Sequence, residues 1–282
     1  MYGECRQGKV LEKHEMSFKK KKGREKMKLK SLITAIAVLS MSATIMGVAS
    51  VPSNAEEMDP PSKLVSVCYS PELDIYTAVA AKSSDSGNNL IMYSSGDGKN
   101  WVRSNAEIDD SISRIGIIVA NGHYVNPNMI VWNDKEDMFV MGDMANVYTS
   151  RDGITWERLG TPKKYGNMDG SGLSSNIELY NMYFDGTNYW ATTRINNEVA
   201  RTIDGDLLRW YSTTLDISNG KPLSAITGTD SGRIYVSSGM ADQGAYITRD
   251  GGLTWELAIG GNVGPYKTLG SIYSPYLDRL IL

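Results

Sequence analysis

Cysteine and histidine are nearly missing, with two of each in 282 residues. Cys5 and His14 fall in a basic N-terminal stretch expected to be removed, so Cys68 and His123 are left alone. A single thiol forms no intrachain disulfide, which excludes a disulfide-stapled scaffold, and a single imidazole excludes multi-histidine zinc sites. No metal and no cofactor are expected. Cys68 lies in an alternating segment and reads as a small buried hydrophobe rather than a reactive thiol. Helical periodicity is scarce throughout, and only Ser31 to Ser50 forms a long apolar run.

That run follows Lys19 to Lys22, Arg24, Lys26, Lys28 and Lys30, and it precedes Ser53-Asn54-Ala55. A basic region, an apolar core and small residues at the end make residues 1–55 a secretory signal peptide, with Met27 an alternative start. The rival reading is an uncleaved anchor, because about 20 apolar residues can span a bilayer. The helix-poor stretch from Val48 to Ala55 favours cleavage. The membrane is then met only through this segment, and the chain is expected to be secreted. The leader holds 11 of the 29 basic and 4 of the 32 acidic residues, leaving 18 against 28 and a net charge near −10. So acidic a chain is a poor partner for nucleic acid.

What the remainder does have is glycine, tyrosine and tryptophan in a repeating order. Ser95-Gly96-Asp97-Gly98 reaches Trp101, Ser150-Arg151-Asp152-Gly153 reaches Trp156, Thr202-Ile203-Asp204-Gly205 reaches Trp210, and Thr248-Arg249-Asp250-Gly251 reaches Trp255. The four Asp are separated by 55, 52 and 46 residues, at or slightly above the roughly 40 to 50 of propeller blades. An Asp-Gly pair between two strands makes a tight turn, because the carboxylate accepts amides two residues on and Gly takes positive φ. A Trp opening the next strand lies over that hairpin and fills the wedge between sheets. Its burial is worth about 4 to 6 kcal/mol at most.

This motif resembles the Asp-box, or BNR repeat, of the sialidase-like β-propeller superfamily, Ser/Thr-x-Asp-x-Gly-x-Thr-Trp and its close variants. Copies two and four fit best. Copy one has Asn100 where Thr is usual, and copy three carries two more residues than copy two and Arg209 before its Trp. The resemblance implies boxes on the face away from any active site, so they identify an architecture and nominate no catalyst.

Residues 56–282 accordingly read as an all-β propeller of four-stranded antiparallel blades at about 63–104, 129–159, 177–213 and 223–258. A partial fifth unit covers 268–282, where Ser271 to Asp278 echoes Ser66 to Asp74. The expected architecture is about four and a half blades, either a fragment of a longer propeller or an arc with open edges. With the boxes on the third-to-fourth strand turns, a ligand face is expected at the second-to-third turns and the links between blades. The turns carry Asp85, Asp143, Arg194 and Asp242. The long links carry Asp109, Asp110, Arg114, His123 and Tyr124, then Lys163, Lys164, Tyr165 and Asp169. The ligand-binding candidates are His123, Tyr124, Tyr165 and Asp109, and long links are functional or disordered.

The resemblance implies two function classes. Sialidases of this fold use a Tyr nucleophile with a carboxylate partner and three Arg that clamp the substrate carboxylate. This chain has no Arg-Ile-Pro motif ahead of its first box and no Arg between Glu56 and Asp97. Asp143, Arg194, Asp242 and Arg114 remain catalytic candidates by position, Asp143 and Asp242 on equivalent turns as in Asp-box enzymes that cleave β-glucans with two Asp. The superfamily also contains non-catalytic scaffolds. The missing clamp Arg favours that class, a secreted propeller that binds carbohydrate or an extracellular protein, over a glycoside hydrolase or an inactive fragment of one.

Overall fold

A computed structural model describes residues 62–84, 87–104, 119–120, 123–124, 129–142, 146–193, 197–215, 223–229, 231–238, 244–259, 272–274 and 279–281. Among these residues every regular element is a strand, and no helix is long and apolar enough to cross a membrane. The expected signal segment lies outside them.

The first blade is the meander β1 (Ser62–Ser70), β2 (Ile75–Ser84), β3 (Gly87–Ser95) and β4 (Val102–Arg103). A short pair, β5 (Val119–Ala120) and β6 (His123–Tyr124), precedes the second blade. That blade contains β7 (Ile130–Asn133), β8 (Met138–Gly142), β9 (Val147–Ser150) and β10 (Glu157–Gly160). After β11 (Lys163–Asn167) and β12 (Ser175–Asn176) comes the third, of β13 (Leu179–Phe184), β14 (Tyr189–Thr193), β15 (Glu198–Ile203) and β16 (Asp206–Thr214). The fourth is β17 (Leu223–Gly228), β18 (Ile234–Ser238), β19 (Ala245–Thr248) and β20 (Glu256–Ile259). A fifth unit contributes β21 (Ile272–Ser274) paired with β22 (Arg279–Ile281).

The chain is thus an all-β protein with four antiparallel four-stranded blades in a propeller arrangement. Successive residues of a strand face opposite sides of its sheet, and in the inner strands both sides are buried. In blade 1, Val79 and Met92 join a cluster with Met129, Phe139 and Met141 of blade 2, while their neighbours Ala80, Ile91 and Tyr93 turn the other way. In blade 2, Met138 and Val140 pack instead with Leu179, Met182 and Ala191 of blade 3. In blade 3, Trp190 and Val199 pack with Ile226, Val236 and Tyr246 of blade 4. Inner strands that bury both faces read as near-continuous apolar runs, which explains Met138-Phe139-Val140-Met141.

Side-chain hydrogen bonds cross from one blade to the next. The Met129 amide donates to Ser66 Oγ at 3.1 Å, and Asn181 Nδ2 donates to the Ser224 carbonyl at 2.9 Å. Asn133 Nδ2 donates to the Tyr189 hydroxyl. These bonds tie blade 1 to 2, 2 to 3 and 3 to 4.

Candidate functional site

Three of the four repeated hairpins share one hydrogen-bond pattern. Ser150 Oγ donates to Asp152 Oδ1 at 3.0 Å and accepts the Gly153 amide at 2.9 Å. Asp152 Oδ1 accepts the amides of Ile154 and Thr155 at 2.8 and 2.7 Å. Ser95 and Asp97 repeat this with Gly98, Lys99 and Asn100, whose side chain adds a bond to Asp97 Oδ2 at 2.7 Å. Asn100 therefore supplies by its amide what Thr254 supplies by its hydroxyl to Asp250 in the fourth copy. That copy carries one residue more, and Gly252 absorbs it at φ 93 while donating its amide to Thr248 Oγ1 at 2.9 Å.

The third copy departs from the pattern. Ile203 pairs directly with Asp206, with Asp204 at φ 53 and Gly205 at φ 75 between them. Two consecutive positive φ values make a two-residue hairpin of the primed type, which leaves no loop for a carboxylate to cap. Thr202 Oγ1 instead accepts the Tyr189 amide at 3.0 Å. The capping geometry is found in the first turn of blade 3, between β13 and β14. There Asp185 Oδ1 accepts the amides of Thr187 and Asn188, both at 2.7 Å, and Oδ2 accepts the Trp190 indole N–H at 2.7 Å.

Two of the turns are also junctions to the preceding blade. Thr77 Oγ1 and Ser104 Oγ of blade 1 donate to the Gly153 carbonyl at 3.4 and 3.2 Å. Arg201 Nη1 of blade 3 donates to the Gly251 carbonyl at 2.8 Å, with its guanidinium 5.5 Å from the Trp190 ring centroid. The indoles follow the same rule: Trp156 packs with blades 1 and 2, Trp210 with 2 and 3, and Trp255 against the cluster of 3 and 4. Trp101 packs against Ala80, Ile91 and Tyr93, all of its own blade.

The turn carboxylates titrate low. Amides of Asn100 and Lys99 hold Asp97 far below the usual carboxylate range. Burial opposes the shift at Asp250, yet bonds from Thr254 and Thr248 bring it to about 2. Burial likewise opposes the shift at Asp152, where the Thr155 and Ile154 amides outweigh it. A carboxylate with a depressed folded pKa contributes stability above its unfolded value near 3.9, and that stability is lost as pH falls through the folded value. The melting temperature is therefore expected to hold steady above about pH 5 and to fall toward pH 2. Asp97→Asn, Asp152→Asn and Asp250→Asn combined are expected to flatten that acid limb; an unchanged limb contradicts the capping role.

On the opposite side, at the ends of β14 and β15, stands a buried carboxylate. Glu198 Oε1 accepts Lys164 Nζ at 2.8 Å and Ser212 Oγ at 2.6 Å, and Oε2 accepts Thr193 Oγ1 at 2.8 Å. The Glu198 side chain is 3 % exposed. Sequence reasoning missed it, because a Glu opening a strand looks like any solvated charge. Lys164 reaches it from β11, which runs parallel to β16 and makes the third sheet six-stranded, in the order β12-β11-β16-β15-β14-β13. The link Gly160–Asn176 is thus an edge hairpin rather than an open loop. Its turn is tied by Asp169 Oδ1, which accepts Ser171 Oγ and the Ser171 amide at 2.6 and 2.9 Å and titrates low for that reason.

Of the sequence-derived candidates, Tyr165 lies on β11, 47 % exposed, with Arg209 Cζ 5.4 Å from its ring centroid. His123 and Tyr124 form β6, pairing with Ala120 and Val119. Asp85, Asp109, Asp110, Arg114, Asp143, Arg194 and Asp242 lie outside the described residues. Cys68 lies against the cluster of blades 1 and 2, and burial pushes its thiol up to about 12, as an inert packing group requires. Among the described residues no group of three or more His, Cys, Asp or Glu could hold a metal ion.

This arrangement defines the class as a β-propeller. No family model matches the sequence. No curated protein matches it either. Solved structures similar to it include an extracellular domain of a hybrid two component system from B. thetaiotaomicron, at 11% identity and TM-score 0.48, over 82% of this chain and 27% of that one. A mutant of NanB sialidase from Streptococcus pneumoniae is similar at 13% identity and TM-score 0.47, over 85% and 59%. The alpha-L-arabinofuranosidase PaAbf62A from Podospora anserina is similar at 8% and 0.41, over 80% and 76%. These likenesses concern the fold alone. The chain spans about a quarter of the length of the extracellular domain.

Proposed function

We propose that this chain is a secreted Asp-box propeller of the sialidase-like superfamily that binds a glycan or an extracellular protein and breaks no bond. The capped turns at Asp97, Asp152 and Asp250, each followed by a Trp, support the Asp-box assignment. The basic and apolar leader, residues 1–55, supports export.

What supports a scaffold over a hydrolase is the lack of any Arg between Glu56 and Asp97, where the sialidase resemblance implies the first clamp residue, and the buried carboxylate Glu198 supplies no catalyst in its place. A general acid or nucleophile needs a carboxylate free to meet substrate. Both Glu198 oxygens are engaged, by an ammonium and two hydroxyls, so this carboxylate acts as a structural anchor. The purified chain is expected to retain glycans or a secreted protein on an array and to release no fluorophore from a fluorogenic sialoside. Release at a rate abolished by Asp143→Asn, Asp242→Asn or Arg194→Ala would establish the hydrolase instead.

A further inference from the structure

Among the described residues, blades 1, 2 and 4 end at a fourth strand, whereas blade 3 continues into β11 and β12. The addition is held from beneath. Lys164 turns inward to Glu198, the Met168 amide donates to the Ser212 carbonyl at 2.9 Å, and the buried Met168 side chain packs in the cluster that contains Trp190. The residues on either side of Lys164 turn outward. Lys163 and Tyr165 are exposed, and Lys163 is the register partner of Arg209, exposed on β16.

Two cations facing one another across neighbouring strands repel. Among the described residues neither Lys163 nor Arg209 has a carboxylate partner. On a chain with a net charge near −10 after export, these two cations side by side make a basic spot, and Arg209 stacks on the exposed ring of Tyr165. A guanidinium held against an aromatic face presents its remaining N–H groups in fixed directions, a fork suited to an oxyanion. An exposed ring edged by donors also fits the apolar face of a sugar.

We propose that this outer edge of blade 3 is a subsite for a saccharide unit bearing one carboxylate or sulfate, with Arg209 and Lys163 on the anion and Tyr165 against the ring. It rests on the glycan branch of the function proposed above, and it lies on an outer edge, away from the axial strands. Nucleic acid is the poorer occupant, because a long polyanion meets the repulsion of the whole acidic surface while a single charged sugar meets chiefly this spot.

Titration calorimetry on the full chain tests it with trigalacturonate, a 6-sulfated N-acetylglucosamine trisaccharide, neutral maltotriose and an acidic hexapeptide. At least one charged sugar is expected to bind more tightly than maltotriose and the peptide, and which one binds assigns the anion. Arg209→Ala and Tyr165→Ala are expected to weaken that binding about tenfold or more, Tyr165→Phe far less, with melting temperatures unchanged because both positions are exposed. Binding of the sugars with equal affinity to wild type and both alanine variants overturns the subsite and leaves the scaffold reading standing. Peptide binding equal to that of the charged sugars also overturns it, in favour of a protein partner. No binding of any glycan, here or on an array, overturns the subsite together with the glycan branch.

Discussion

Trp210→Ala is expected to reduce the free energy of unfolding by about 3 to 5 kcal/mol, and Trp156→Ala by a similar amount. Trp210 is 0 % and Trp156 6 % exposed, and each lies in a cluster drawn from two blades. Truncation therefore opens a cavity between sheets that neither sheet can close without moving the other. Phenylalanine separates the two sites. The Trp210 indole donates to the Leu207 carbonyl at 2.7 Å, whereas the buried Trp156 N–H has no acceptor among the described residues. Trp156→Phe is thus expected to be the milder change, since it removes an unsatisfied donor along with some volume. Trp101→Ala is expected to cost about 1 to 2 kcal/mol, since that ring is half-buried against its own blade. Urea unfolding of these alanine variants and of phenylalanine at both Trp156 and Trp210 measures all of this; equal losses at Trp101 and Trp210 contradict the wedge role.

Glu198→Ala is the second large effect, expected to cost about 3 kcal/mol. The substitution removes the acceptor of Lys164, Thr193 and Ser212 at once, and leaves an ammonium whose side chain is 19 % exposed without its partner. The loss is also expected to be local, because Lys164 holds β11 to blade 3. Amide exchange at Met168, whose N–H donates to Ser212, is expected to accelerate far more than at Ala191 in the sheet interior. Uniform acceleration at both amides contradicts the anchor assignment. Lys164→Met with Glu198→Leu is expected to recover part of the stability, as replacing a whole buried pair costs less than breaking it.

The blades were legible because their signals are short in range. Asp152, Gly153 and Trp156 lie within five residues, and the amides that Asp152 accepts are two and three positions on. The third hairpin shows the limit. Thr202-Ile203-Asp204-Gly205 has the same letters, yet the pairing of Ile203 with Asp206 closes a shorter turn, and β16 begins at Asp206, well ahead of the Trp210 expected to open it. Which of two turns an Asp-Gly pair adopts is decided by the strands it joins. The edge hairpin of blade 3 was illegible for a related reason. Lys163-Lys164-Tyr165 has the composition of a solvated link, and the residue that orders it, Glu198, is 34 positions away. Buried Asn133 and Asn181 were hidden similarly, each satisfied by a residue of the next blade.

Trp156, Trp210 and Trp255 each sit between two successive sheets. A double-mutant cycle of Trp156→Ala in blade 2 with Met92→Ala in blade 1, followed by urea unfolding, tests this placement most directly. The two side chains share one inter-blade cluster, so a coupling of about 1 kcal/mol or more is expected. Losses that add to within about 0.3 kcal/mol would contradict the arrangement.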